Sequence, residues 1–75
     1  MHLVMNTIDI EPFKNDRYEY FSLCVAVSRA RGTAKEAAMA SFLRKVMVAL
    51  GYPAETASWD DQRTLMYADN IVMMG

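Results

Sequence analysis

The sequence predicts an all-α fold, a small three-helix domain preceded by an extended N-terminal arm. Three observations predict it. Thr33 followed by Glu36 makes a capping box, in which the hydroxyl and the carboxylate satisfy early helix N–H groups, and Gly51 and Pro53 close the same run. Within that run Met39, Phe42, Leu43, Val46 and Leu50 fall on an arc of about 100° at helical spacing. The flanking stretches, 15–32 and 58–73, carry start and stop signals of their own. The whole chain of 75 residues reads as one domain, with residues 1–14 as the arm and 15–74 as the helical core.

In the arm, Ile8 and Ile10 alternate with Thr7, Asp9 and Glu11, which suits a short strand or extended segment ended by Pro12. Met5 is a second candidate initiator.

Residues 15–32 admit two readings. As a helix, Asp16 and Glu19 form an acidic capping box, Arg29 and Arg31 sit at the negative end of the dipole, and Gly32 is the residue just past the end. Tyr20, Leu23, Cys24, Val27 and Ala30 then share a stripe, with Tyr18, Phe21 and Val25 nearly opposite, so the helix is apolar on two faces. As a strand, Phe21, Leu23, Val25 and Val27 alternate with Ser22, Cys24, Ala26 and Ser28. The strand reading gives the α+β alternative: an N-terminal β-hairpin of residues 3–10 and 18–28 packed on two helices. The helix is preferred because its start, end and charge placement agree.

The central helix, 33–50, has a back face of Ala34, Ala37, Ala40 and Ser41 alongside Arg44 and Val48. Alanine is the best helix former, which accounts for these residues without further function; small residues also let a second helix approach closely. In the last segment Ser58 and Asp61 form a third capping box, and Asp60 and Asp61 place negative charge in the first turn. The helix Trp59–Met73 carries apolar residues in three sectors: Leu65, Ala68 and Val72; Trp59, Met66 and Met73; Tyr67, Ile71 and Met74. Three outcomes fit: an engulfed helix, a terminal strand at NIVMM, or a surface that meets another chain.

Composition narrows function. An apolar fraction of 53% against 23% charged places the chain among folded globular proteins rather than disordered ones. A net charge of −1 supplies no field to hold nucleic acid. The lone Cys24 cannot form an internal disulfide, and no leader-like or membrane-length apolar run is present, so a cytoplasmic location is expected. Catalysis has little to work with: His2 stands alone beside the first residue, Cys24 has no base near it in sequence, and Gly32, Gly51 and Gly75 are isolated. We therefore expect no enzyme, no cofactor and no metal.

Two patterns in the chain bear on nucleic acid. A helix-turn-helix across Gly51 fails on charge, because its recognition helix opens Trp59-Asp60-Asp61 and holds only Arg63 as a base. The segments Ile8-Asp9-Ile10-Glu11-Pro12 and Gly32-Thr33-Ala34-Lys35-Glu36 give residues 6–46 an arm-helix-helix order that resembles the ribbon-helix-helix repressors and antitoxins. That resemblance implies a dimeric DNA-binding regulator. Its Pro-to-Gly spacing is longer than the family's, and the ribbon side chains that would read bases, Thr7, Asp9 and Glu11, include two acids that repel DNA. Arg29, Arg31, Arg44 and Lys45 read as solvated surface.

A protein partner fits better. Seven methionines, four tyrosines and Trp59 are adaptable or anchoring residues of the kind enriched at interfaces, although such residues also fill small cores. The residues expected at the interface are Trp59, Met66, Tyr67 and Met73 from the last helix and Tyr18 and Phe21 from the first. The expected function is a non-catalytic interaction module, an accessory regulator or phage-type inhibitor that binds a protein partner and self-associates as a homodimer.

Overall fold

The computed structural model describes residues 10–14 and 17–75. They form helices α1 (Glu11–Lys14), α2 (Arg17–Arg29), α3 (Glu36–Ala49) and α4 (Asp61–Met74), with a 3-10 turn, Ala54–Ser58, between α3 and α4. The all-α class predicted from sequence is the observed one, and the three long helices match the three predicted. Among the described residues there is no strand. Residues 18–28 lie in α2, and the chain end from Asn70 to Met74 lies in α4, so neither the hairpin nor the terminal strand forms.

The arm needs one correction. Residues 11–14 close a helical turn, with Phe13 N–H donating to Ile10 O at 2.9 Å and Lys14 paired with Glu11 at 3.3 Å. Pro12 is compatible because the first helical turn has no intrahelical use for its missing N–H. Residues 1–9 of the arm, with Ile8 of its alternation, and the proposed cap Asp16 lie outside the described residues. Any ribbon of the ribbon-helix-helix kind therefore stops before Glu11.

The second correction concerns caps. The Thr33 and Glu36 side chains do bond the backbone, but not each other's, and they tie the α2–α3 turn rather than starting α3 at Thr33. Thr33 Oγ1 donates to Ala30 O (2.6 Å) and accepts from Lys35 N–H (3.1 Å), while Glu36 Oε1 accepts from Gly32 N–H (2.6 Å). A threonine hydroxyl bonded two residues ahead holds a turn instead of a helix, so α3 begins at Glu36. Before α4 the chain winds through the 3-10 turn, which draws Ser58 Oγ onto Glu55 O (2.7 Å). Asp60 is the cap in its place, its Oδ1 accepting from Arg63 N–H at 2.8 Å, and Trp59 stands in extended backbone outside the helix.

The end of α3 follows expectation. Gly51, at φ +105°, lets Tyr52 N–H return to Met47 O and Gly51 N–H to Val48 O, both at 3.0 Å, which satisfies two terminal carbonyls.

The core gathers Leu23, Cys24 and Val27 from α2, Leu43, Val46 and Met47 from α3, and Leu65 and Ala68 from α4. The predicted stripe on α2 is the buried one; on α3 the buried arc is rotated toward Ala40 and Met47, leaving Phe42 at the surface. Of the small residues on the back of α3, Ala40 is buried while Ala34 and Ala37 are exposed. Arg44 is also not solvated surface. It is 17% exposed and its Nη1 donates to Asp61 Oδ1 and to the buried Thr64 Oγ1, both at 3.0 Å, pinning α3 to the start of α4. At the other end of α4, Asp69 accepts from Ser28 Oγ at 2.6 Å and pairs with Arg31, so α2 and α4, the most extensively packed pair, are clamped side by side.

Candidate functional site

α2 positions the candidate site because it carries apolar side chains all round. With Leu23, Cys24 and Val27 turned inward, helical geometry places Tyr18, Phe21, Ser22, Val25 and Arg29 on the outer side. Tyr18 is 72% exposed, and Phe21 and Val25 are half-buried. This face runs between two further hollows. Toward the N-terminal end of α2 and the last turn of α4 lies an open cleft of about 530 Å³, lined by Phe13, Arg17, Phe21, Ile71, Met74 and a group of tyrosines. A Cβ at Gly75 would overlap the Phe21 ring, so the backbone there packs directly on the aromatic wall. Beyond Arg29, a hollow of about 640 Å³ continues over Ala30, Thr33, Ala34, Lys35 and Met39.

The tyrosines at the cleft wall form a network. Tyr67 Oη shares hydrogen bonds with Tyr20 Oη (2.8 Å) and Tyr52 Oη (3.3 Å), the Tyr20 and Tyr52 rings stack at 6.4 Å, and Trp59 meets Tyr67 edge-on at 5.8 Å. The Arg63 guanidinium lies 4.5 Å from the Trp59 ring centroid, a cation–π contact that covers the indole. Burial, with the shared hydrogen bonds, pushes the Tyr20 phenol well above its ordinary range; burial also raises Tyr67. Both are neutral hydroxyls at physiological pH, available as donors and acceptors but not as bases.

Cys24 lies wholly within the core, and burial pushes its thiol up to about 11. A thiolate is the nucleophilic form, so this residue is held unreactive. Among the described residues, no three His, Cys, Asp or Glu side chains gather as metal ligands. No described helix is long and apolar enough to cross a membrane.

These raised values set a pH dependence. The unfolded thiol and phenols ionise near 9 and 10, whereas in the folded chain they hold their protons to higher pH. Stability from all three is therefore complete below about 9 and is lost progressively as pH climbs through the folded values. Denaturant titrations from pH 8 to 12 should show stability falling above pH 9–10, and Tyr20→Phe should make that fall shallower by removing one proton released on unfolding. An unchanged slope in Tyr20→Phe would mean that the phenol is not perturbed by its burial.

The six residues expected at an interface divide into three groups. Tyr18 and Phe21 share the outer face of α2. Met66 and Met73, 59% and 83% exposed, share the outer face of α4, separate from the first pair. Trp59 and Tyr67 are packed against the core, the Tyr67 hydroxyl bonded to Tyr20 and Tyr52 and the Trp59 ring covered by Arg63. Sequence reasoning did not find the Tyr20–Tyr52–Tyr67 network: Tyr20 read as part of the inner stripe of α2, and Tyr52 was not singled out. It did not single out Arg17 or Lys35, and it read Arg29 as solvated surface; all three line the α2 hollows. The chain matches no known protein family, no curated protein and no solved structure.

Proposed function

We propose that this protein is a non-catalytic interaction module that regulates or inhibits a protein partner by occluding or bridging it. The observation that carries this reading is the outer face of α2, where Tyr18, Phe21 and Val25 recur at intervals of three and four residues on the side turned away from the chain's own core. A helix committed on both sides has more apolar surface than one small core covers, and side chains of this kind anchor helix-in-groove and helix-on-helix contacts. The neutral phenols and the inert thiol leave the site suited to contact rather than to bond making. Self-association is the companion proposal, with Met66 and Met73 of α4 as the surface for it.

The test is affinity capture from nuclease-treated lysate of the native source with the wild-type chain and with Val25→Asp, whose helical content is first verified by circular dichroism. A stoichiometric protein held at high salt by the wild type and lost by the variant supports the module. Capture equal in both, or none, removes the α2 face from consideration; material lost on nuclease treatment points back to nucleic acid.

A further inference from the structure

The three hollows along α2 form one belt. The cleft beside α4 and the hollow over the middle of α2 share Phe21, and the latter shares Ala26 and Arg29 with the hollow at the α2–α3 turn. Among the described residues, the charged side chains lining this belt are Arg17, Arg29 and Lys35, with no Asp or Glu. In a chain with nine acids and eight bases that separation of sign is a local property of the surface. The cations placed elsewhere are mostly engaged: Lys14 with Glu11, Arg31 with Asp69, Arg44 with Asp61, and Arg63 on Trp59. No ion pair joins Arg17, Arg29 or Lys35 to a carboxylate among the described residues. Beside Lys35, the Glu36 carboxylate is turned onto Gly32 N–H.

We infer that the α2 belt receives an amphipathic helix of a partner protein whose apolar stripe is flanked by Asp or Glu. The inference rests on the interaction-module reading and specifies its partner. The apolar members Phe21, Val25, Ala26, Ala30 and Met39 form the floor, and a floor of that shape matches a stripe at i, i+3, i+4 and i+7. Arg17 and Arg29 stand 12 positions apart, about 18 Å along the axis, which four turns of a partner helix span with acids at both ends. Like charges make a second copy the wrong occupant: α2 against α2 about a two-fold axis sets Arg17 and Arg29 of one chain against the same cations of the other. Duplex DNA fits poorly as well, since three cations around an apolar floor leave phosphates facing aromatic and aliphatic carbon.

The probes are two fluorescein-labelled helical peptides of about four turns, both with leucine at i, i+3, i+4 and i+7, one flanked by Glu and the other by Lys. Fluorescence anisotropy against the full chain should show the Glu peptide binding roughly 10-fold tighter, as expected for three exposed ion pairs, with the gap narrowing as salt rises. The double variant Arg29→Glu with Lys35→Glu should reverse the preference, and Val25→Asp should weaken both peptides. Equal binding of the two peptides, lost in Val25→Asp, would retain the docking face and overturn the acidic partner. Binding of neither peptide by a folded chain, displacement of the Glu peptide by duplex DNA, or self-association abolished by Val25→Asp would each overturn the inference. The capture experiment above decides the broader reading independently.

Discussion

Val27→Asp should leave the chain largely unfolded at room temperature, while Val25→Asp, two residues away on the same helix, should leave it folded. Val27 is wholly buried between α2, α3 and α4, in a cluster with Leu23, Leu43, Val46 and Leu65. A carboxyl placed there loses its hydration and meets hydrocarbon, at a cost of order 5 kcal/mol. A chain of this size has a total margin of about 4–11 kcal/mol, so the midpoint of thermal unfolding should fall by roughly 20–40 °C. Val25 lies on the outer face, where the new carboxylate keeps its water and the cost is about 1 kcal/mol or less. Far-UV circular dichroism of the two variants reads the difference directly. If both unfold, the outer face is buried in solution and α2 has no free side; if neither does, the inward stripe is misassigned.

Leu65→Ala should be the most damaging truncation in α4. The side chain is fully buried where α4 meets α2 and α3, and deleting three carbons leaves a cavity that three packed helices cannot easily collapse. The expected loss is about 3 kcal/mol, a fall in the unfolding midpoint of roughly 12–24 °C for a domain of this size. Its neighbour Met66 is 59% exposed, so Met66→Ala should change stability by no more than about 0.5 kcal/mol. Comparable losses in both variants would mean that α4 is covered on its outer face as well.

The all-α class was legible because helical spacing and stop signals ran over long stretches, even though individual caps fall elsewhere. The inner stripe of α2 was legible for the same reason: Leu23, Cys24, Val27 and Ala30 repeat at helical spacing, and all are buried. Cap positions were not, because Thr33, Glu36 and Ser58 have chemistry that serves a turn as readily as a helix start, and only the path of the backbone decides which bond forms. The rotation of the buried arc on α3 depended on where α4 lies, which local pattern does not carry. Arg44 was misread for the same reason, since its partners Asp61 and Thr64 lie across the fold. The outward placement of Tyr18 and Phe21 was accessible to reasoning from α2 alone. Tyr67 and Trp59 look the same in sequence as free anchors, and only their contacts with Tyr20, Tyr52 and Arg63 distinguish them.

The clamp between α2 and α4 has a consequence in time. Its bonds join residues about forty positions apart, Ser28 and Arg31 to Asp69 and Tyr20 to Tyr67. As the polypeptide is synthesised from its N-terminus, α2 and α3 are complete well before α4 is. During that interval Leu23, Cys24 and Val27 have no α4 to cover them, and both sides of α2 are sticky at once. Closing so long a loop also has an entropic cost that must be met before the clamp gives anything back. The nascent chain is thus most exposed to misassembly just before α4 arrives, and a partner that binds the outer side of α2 early would shield half of that surface while the other half waits.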